Sequence, residues 1–219
     1  MVKKINQAVI LCGGLGKRLR PITSVIPKPM VKIDEEKPFL LFLLNQLSNQ
    51  GIKKFLLLTG YKYKIIQKFF KSGDNWGWNI EYSNGPTSWD TGRRVWEARY
   101  LLNKNFLLLY SDNYAQISIE QMIKRHNKSN TAITLLLAKK NTGNVKLRDD
   151  LTIQYNLKRN KDFNHVELGY MIVNKEKVLR KFQDIKNFPN FNLSYLLKYF
   201  SDINEVSAKV LKTNYYSIS

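Results

Sequence analysis

Several scarcities frame this sequence. Its one cysteine, Cys12, excludes an internal disulfide and any cysteine-rich metal site. The two histidines, His126 and His165, do not pair at metal-ligand spacing, and both are expected on the surface. No apolar run is long enough to span a bilayer, and the start lacks the charged, apolar and small-residue succession of a secretory signal. The cytoplasm is the expected location. Acidic side chains are outnumbered, 17 Asp and Glu against 36 Lys and Arg, which leaves a net charge of +19. The lysines are spread along the chain beside asparagine and isoleucine, as an A/T-biased coding sequence would give. Anionic substrates, a nucleic-acid partner or an anionic membrane surface are the sharper alternatives.

What is present is a globular composition. With 219 residues, 43% of them hydrophobic and 12% aromatic, the chain can bury a sizeable core, and a single domain over 1–219 is expected. The apolar run from Ala8 to Leu11 reads as a buried strand. Helical spacing follows over 38–50, with Pro38 in the first turn and Gly51 as the C-terminal stop. A buried strand over 55–60 and an amphipathic helix over 63–71 continue the alternation. A strand over 79–83, a helix over 91–102 and a hydrophobic strand over 106–110 complete a pattern that demands a parallel sheet. A helix over 119–128 and a strand over 131–139 come next. The second half is less regular: strand-like segments at 145–147, 151–155 and 167–173 are separated by short turns, helices are expected over 175–182 and 193–200, and a last strand-like run covers 209–218. One α/β unit with an irregular second half accounts for this.

The most informative stretch begins where the first strand ends, at Cys12-Gly13-Gly14-Leu15-Gly16-Lys17-Arg18-Leu19-Arg20-Pro21, with Pro27-Lys28-Pro29 close behind. Glycines without a Cβ let successive backbone N–H groups turn toward one anion, and Lys17, Arg18, Arg20 and Lys28 add charge suited to a polyphosphate. Two common phosphate loops do not fit. A P-loop requires a glycine where Leu11 stands and a Ser or Thr where Arg18 stands. The dinucleotide fingerprint requires a glycine spacing that Gly13-Gly14-Leu15-Gly16 lacks. A lone carboxylate, Asp112, closes the 106–110 strand, the end at which open α/β sheets place ligand chemistry. The four tryptophans, Trp76, Trp78, Trp89 and Trp96, suit core or lid packing better than a base-stacking platform.

The pattern Leu11-x-Gly-Gly-x-Gly-x-Arg18-Leu-x-Pro21-x-Thr23, followed by Pro27-Lys28-Pro29, resembles the opening signature of the nucleotidyltransferases that activate sugar 1-phosphates. The resemblance continues through Lys37-Pro38-Phe39-Leu40, Gln50-Gly51-Ile52-Lys53, Gly60-Tyr61, Thr91-Gly92-Arg93-Arg94, Tyr110-Ser111-Asp112-Asn113 and Val166-Glu167-Leu168-Gly169-Tyr170, which is nearly the whole chain. Within that family the chain looks most like guanylyltransferases for heptose 1-phosphate, including those fused to a phosphatase, with cytidylyltransferases next.

The resemblance implies a Rossmann-like, mostly parallel mixed sheet with helices on both faces. It also implies a reaction in which a sugar 1-phosphate attacks the α-phosphorus of a nucleoside triphosphate in line and pyrophosphate leaves. By the family pattern Leu11, Gly13, Gly14, Gly16, Lys17 and Gly92 hold the nucleotide. Arg18 grips the β- and γ-phosphates, and Lys28 stabilises the α-phosphate. Asp112 binds Mg²⁺, and Lys158, Glu167 and Gly169 meet the sugar phosphate. The implied partners are the two substrates, with neither nucleic acid nor stable membrane insertion; a fused or separate phosphatase and a homo-oligomer are left open.

Departures from the pattern are informative. Many relatives carry a Pro-Leu-Gly-Thr turn against the base where this chain has Ser88-Trp89-Asp90-Thr91, so Asp90 occupies a glycine's place. Relatives carry a second metal-binding aspartate in an Asp-Ile-Gly where this chain reads Ser217-Ile218-Ser219, and they continue beyond it, so the chain is expected to be a fragment or a compact form completed by another element. Three functions compete: an active sugar 1-phosphate nucleotidyltransferase, a nucleotide-binding module with little catalysis, and a nucleic-acid-binding protein without a recognisable motif.

Overall fold

The structure, a computed structural model, describes residues 4–34, 37–185, 192–212 and 214–218. Strand β1 (Gln7–Cys12) is followed by the short helix α1 (Ile22–Val25) and a ribbon of β2 (Lys32–Asp34) and β3 (Lys37–Pro38). Helix α2 (Phe39–Ser48), strand β4 (Lys54–Thr59), helix α3 (Tyr63–Phe70), strand β5 (Asn79–Asn84), helix α4 (Thr91–Glu97) and strand β6 (Asn105–Tyr110) alternate after it. The second half holds β7 (Asn113–Ala115), α5 (Ile119–Ser129), β8 (Ile133–Lys139), β9 (Gly143–Leu147), β10 (Ile153–Asn160) and β11 (His165–Asn174). It closes with α6 (Lys175–Ile185), α7 (Leu193–Asp202), β12 (Val206–Val210) and β13 (Tyr215–Ser217).

Among the described residues, nine strands form one mixed sheet. Strands β5, β4, β1 and β6 run parallel in that order, β11 lies antiparallel to β6, and β9 and β10 extend the sheet beyond β11. Strand β8 also pairs with β11 and carries β12 parallel at its other edge. The near-continuous apolar strands follow from burial on both faces. Ala8, Ile10 and Cys12 of β1 point into one core with Phe55, Leu57, Leu107 and Leu109, while Val9 and Leu11 point into another with Leu56, Leu58, Phe106 and Leu108. Helices α2, α3 and α5 cover the first core, and α4, α6 and α7 cover the second. Helix α2 stops where expected: Gly51 takes φ +90, so Gly51 N–H can reach Ser48 O and Ile52 N–H can reach Leu47 O, satisfying the last carbonyls.

The strand order places a topological switch beside β1. The chain leaves β1 toward β4 on one side and returns to β6 on the other, so the segments following β1 and β6 diverge and open a crevice at their C-terminal ends.

Some local expectations change. The helix over 91–102 ends at Glu97, and Arg99–Leu101 tightens into a 3-10 turn whose Arg99 donates to Trp96 O and lies over the Trp96 and Tyr100 rings. The run over 209–218 is two strands, because β12 belongs to the sheet edge while β13 pairs with β7. Neither histidine is a surface residue. His126 is 1% exposed and its Nδ1 lies 2.8 Å from Thr134 Oγ1, and His165, at 9%, is enclosed between β8 and β9. Both are buried because the strands beside them are internal. Trp76 and Trp78 stack in the first core as expected, and Trp96 packs against the second.

Candidate functional site

The crevice beside β1 is a cleft of about 300 Å³, lined by Leu11, Gly13, Gly14, Gly16 and Lys28 from the opening segment and by Tyr110, Ser111 and Asp112 from the end of β6. Thr87, Trp89, Asp90, Thr91 and Arg94 close its third side. The glycines have separate reasons. A Cβ at Gly13 would lie 2.3 Å from the Arg94 guanidinium carbon, Gly16 takes φ +62, and at Gly14 a Cβ would meet nothing, so that backbone stands open to the cleft. The Gly16 carbonyl accepts from Leu19 N–H at 3.0 Å and Thr23 Oγ1 at 2.8 Å, and Tyr61 Oη donates to Thr23 O at 2.9 Å, which ties the loop to the segment after β4.

Across the cleft, Lys28 Nζ meets Asp112 Oδ2 at 3.0 Å, with the side chains 13% and 31% exposed. Lys28 is placed by the 3-10 turn Lys28–Met30 after Pro27, and Asp112 by the turn that ends β6, where Ser111 Oγ donates to Leu11 O at 2.7 Å. A cation and a carboxylate from segments 84 residues apart thus meet at the mouth of the glycine loop. Behind Asp112 lies Glu167. Burial pushes its carboxyl up, the Gly169 N–H bond to Oε2 at 2.7 Å pulls it back, and the Asp112 charge raises it further. Gly169 takes φ +75 at a shift in the β11 register, and a Cβ there would sit 2.4 Å from the Tyr110 ring.

Other expected residues stand apart from the cleft lining. Lys17 and Arg18 lie exposed on the 3-10 turn Lys17–Leu19 directly after Gly16. Gly92 is buried in the first turn of α4, while its neighbours Asp90 and Thr91 reach the cleft. Lys158 is exposed on β10, the outermost strand beyond β11 and β9.

Arg94 was not singled out from the sequence. It is 5% exposed, and its guanidinium donates to Thr59 O at 2.8 Å, Pro86 O at 2.7 Å and Gly13 O at 3.4 Å. One side chain thereby pins the end of β4 to the segments that follow β1 and β5. Burial lowers its pKa, with the nearby Cys12 and Asp90 opposing. The available signal was its place on the apolar stripe of α4 with Val95 and Ala98. Cys12 beneath it is 1% exposed, and burial pushes its thiol up to about 12.

Among the described residues no group of three His, Cys, Asp or Glu could cage a metal. Strand β13 brings Ser217 opposite Asn113, and Ile218 N–H donates to Asp112 O at 3.0 Å. The position that the resemblance gives to a second aspartate therefore does lie beside Asp112, and it carries a hydroxyl. A donor set of one carboxylate at a phosphate-sized cleft fits magnesium shared with substrate oxygens and water, rather than an all-protein cage.

Residues 7–146 match the nucleotidyl transferase family. The chain belongs to that family. This nucleotidyl transferase is 34% identical over 174 residues to a D-glycero-alpha-D-manno-heptose 1-phosphate guanylyltransferase of Aneurinibacillus thermoaerophilus, a match covering 77% of this chain and 75% of the relative. A Campylobacter jejuni protein of the same name is 33% identical over 171 residues, covering 78% and 76%. Among solved structures, HddC from Yersinia pseudotuberculosis, crystallised with GMP-PN, superposes with a TM-score of 0.77 at 22% identity over 97% of this chain and 93% of that one. At that identity the superposition speaks to the fold, and it bears out the mixed sheet with helices on both faces.

Proposed function

We propose that this nucleotidyl transferase joins a nucleoside triphosphate to a sugar 1-phosphate and releases pyrophosphate, with GTP and a heptose 1-phosphate as its pair. The observation that carries the reading is the Lys28–Asp112 pair at 3.0 Å, facing a glycine loop at the switch point of the sheet. The heptose relatives support the choice of base and sugar.

The chemistry asks for position and charge more than for a covalent partner. An oxygen of the sugar phosphate attacks the α-phosphorus in line, the bond to the β-phosphate oxygen breaks, and pyrophosphate leaves with the electron pair. The Leu11 to Gly16 loop receives base and phosphates, its N–H groups turned to the anion. Lys28, oriented by Asp112, meets charge growing on the α-phosphate. Arg18, with Lys17 on the turn after the loop, holds the leaving pyrophosphate, and Gly92 backs the nucleotide wall. Mg²⁺ at Asp112, when bound, neutralises charge shared among the phosphates. Glu167 and Gly169, next to Asp112, take the sugar hydroxyls. The role of Lys158 draws on the resemblance alone, given its place on the outer strand.

Pyrophosphate release with Mg²⁺, each of the four nucleoside triphosphates and a panel of sugar 1-phosphates tests this. Turnover greatest with GTP and a heptose 1-phosphate is expected. Triphosphate binding without turnover for any pair would refute the enzyme and favour a binding module, which the hydroxyl of Ser217 in place of a carboxylate would explain.

A further inference from the structure

Along β12 the surface is grooved and its charge has one sign. Three adjoining clefts of about 530, 470 and 520 Å³ follow β12 and the residues after it, and Lys212 lines all three. The first has an aliphatic floor of Met122, Leu136 and Val210, with Lys209 beside it. The second takes Lys124, Arg125 and Lys128 from one face of α5, and Leu147 and Leu151 from the end of β9 and the turn after it. The third is lined by Lys139 and Lys140 at the end of β8 and by Tyr215 and Tyr216 of β13. Seven cations thus face one tract, and among the described residues no Asp or Glu lines it. Elsewhere lysines meet carboxylates, as Lys54 meets Glu81 at 3.4 Å and Lys104 meets Glu176 at 3.3 Å. In the tract Lys124 pairs with Glu120 at 2.6 Å and Arg125 donates to Asp150 O at 3.2 Å. Lys128, Lys139, Lys209 and Lys212 have no ion pair among the described residues, and Lys140 lies over the Tyr215 ring. A coding bias spreads lysine evenly and does not clear the acids from one tract. An edge lysine guards a strand against stray pairing, which accounts for Lys209 but not for Lys128 on α5 or Lys140 beyond β8.

We propose that this groove docks an extended acidic segment of a partner protein, in which carboxylates alternate with apolar side chains. The tract follows β8 from Lys128, at the end of α5, to Lys140, so at about 3.3 Å per residue it is roughly 20 Å long and seats about six extended residues. An extended strand turns successive side chains to opposite sides, so the apolar ones settle on the floor while the carboxylates turn to the lysines. Backbone groups are on offer as well. Ala208 N–H donates to Leu151 O and Leu211 N–H donates to Leu137 O. Strand alternation therefore turns Val210 N–H and C=O away from β8, to an edge where no further strand of the described residues pairs. Other polyanions fit less well. The floor is aliphatic, with tyrosines at one end alone, so a nucleic acid finds no continuous stacking surface. A bilayer is flat and leaves the clefts unfilled. A second copy would bring a charge of +19 against +19, and a two-fold contact would set lysine on lysine.

The test is fluorescence anisotropy on the whole chain with a labelled synthetic peptide that alternates glutamate and valine and is long enough to span the tract. A glutamate–serine peptide of equal length, oligothymidylate and phosphatidylglycerol vesicles serve as comparisons. Lys209→Glu with Lys212→Glu reverses two cations of the groove, and Lys64→Glu with Lys68→Glu makes the same charge change on the exposed side of α3. Melting curves confirm that both fold. The glutamate–valine peptide should bind the parent, lose roughly tenfold in the first double variant, the scale of two exposed charge pairs turned repulsive, and change by less than about twofold in the second. The glutamate–serine peptide should bind more weakly, because it leaves the aliphatic floor uncovered. Salt gives a reading without any substitution: affinity should fall as ionic strength rises, and an affinity indifferent to salt overturns the charge match. No binding of the glutamate–valine peptide, or equal losses in the two double variants, overturns the groove as a docking site. Equal binding of the two peptides overturns the role of the apolar floor. Oligothymidylate or vesicles that bind more tightly than the peptide, with the loss confined to the Lys209 and Lys212 variant, overturn a protein partner and assign the tract to that polyanion.

Discussion

The contact between Gly13 and Arg94 can be measured as a coupling energy. A Cβ at position 13 would sit 2.3 Å from the Arg94 guanidinium carbon, 2.5 Å from Nη1 and 2.6 Å from Nε. Ordinary carbon contacts begin at about 3.5 Å, so the guanidinium would have to retreat by about 1.2 Å. It cannot retreat freely, being held by Thr59 O at 2.8 Å and Pro86 O at 2.7 Å. Two charge-assisted bonds are worth about 1.5–3 kcal/mol each, and freeing a buried guanidinium recovers part of that. Each carbonyl also keeps a backbone donor, from Gly85, Trp89 and Tyr61, so no acceptor is orphaned. The result is about 2–4 kcal/mol for Gly13→Ala and about 2–3 kcal/mol for Arg94→Ala. In the Arg94→Ala background the three nearest contacts of the new methyl are gone, and Gly13→Ala should then cost under about 1 kcal/mol. Urea unfolding of the four proteins gives the cycle directly. Costs that add within about 0.5 kcal/mol would refute the pinning role assigned to Arg94.

Two further outcomes follow from the site. Arg18→Ala and Asp112→Ala should each lower turnover by at least about a hundredfold, the scale of losing one charge-stabilising group, measured by pyrophosphate release; near-normal rates in both would defeat their roles. Glu167, whose folded pKa stands above its ordinary value of 4.5, binds its proton longer in the folded chain than in the unfolded one. Stability therefore falls as pH rises from the unfolded pKa through the folded one, and the full cost is present above both. Glu167→Gln should remove that fall, gaining stability over the parent as pH rises from about 4.5, and parallel stability curves would contradict the assignment.

The parallel half of the fold was legible because burial on both faces forces apolar runs, and Phe55 to Leu58 and Phe106 to Leu109 have no other use. The glycine loop was legible for a similar reason, since close approach and φ +62 leave glycine little competition at Gly13 and Gly16. Arg94 was hidden because a buried arginine looks like a surface one until its acceptors are known, and two of the three, Thr59 O and Gly13 O, lie 35 and 81 residues away in sequence. The burial of His126 depends on Thr134 and Ser207, brought together by the β8–β12 pairing, which no local pattern encodes. The split of 209–218 was likewise set by its two partners: Val206–Val210 completes a sheet edge, whereas Tyr215–Ser217 answers β7.

That last pairing has a bearing on the order of assembly. The glycine loop, Lys28, Arg94 and Asp112 all lie in the first 112 residues, the loop and Asp112 directly after β1 and β6, which pair with each other. The backbone beside Asp112 is finished by Ser217 and Ile218, more than a hundred residues later. During synthesis the nucleotide wall can close while the far side of the cleft still waits for β13, the kind of non-local pairing that forms slowly. The backbone of Asp112 therefore reaches its final setting only once the two halves of the chain have met.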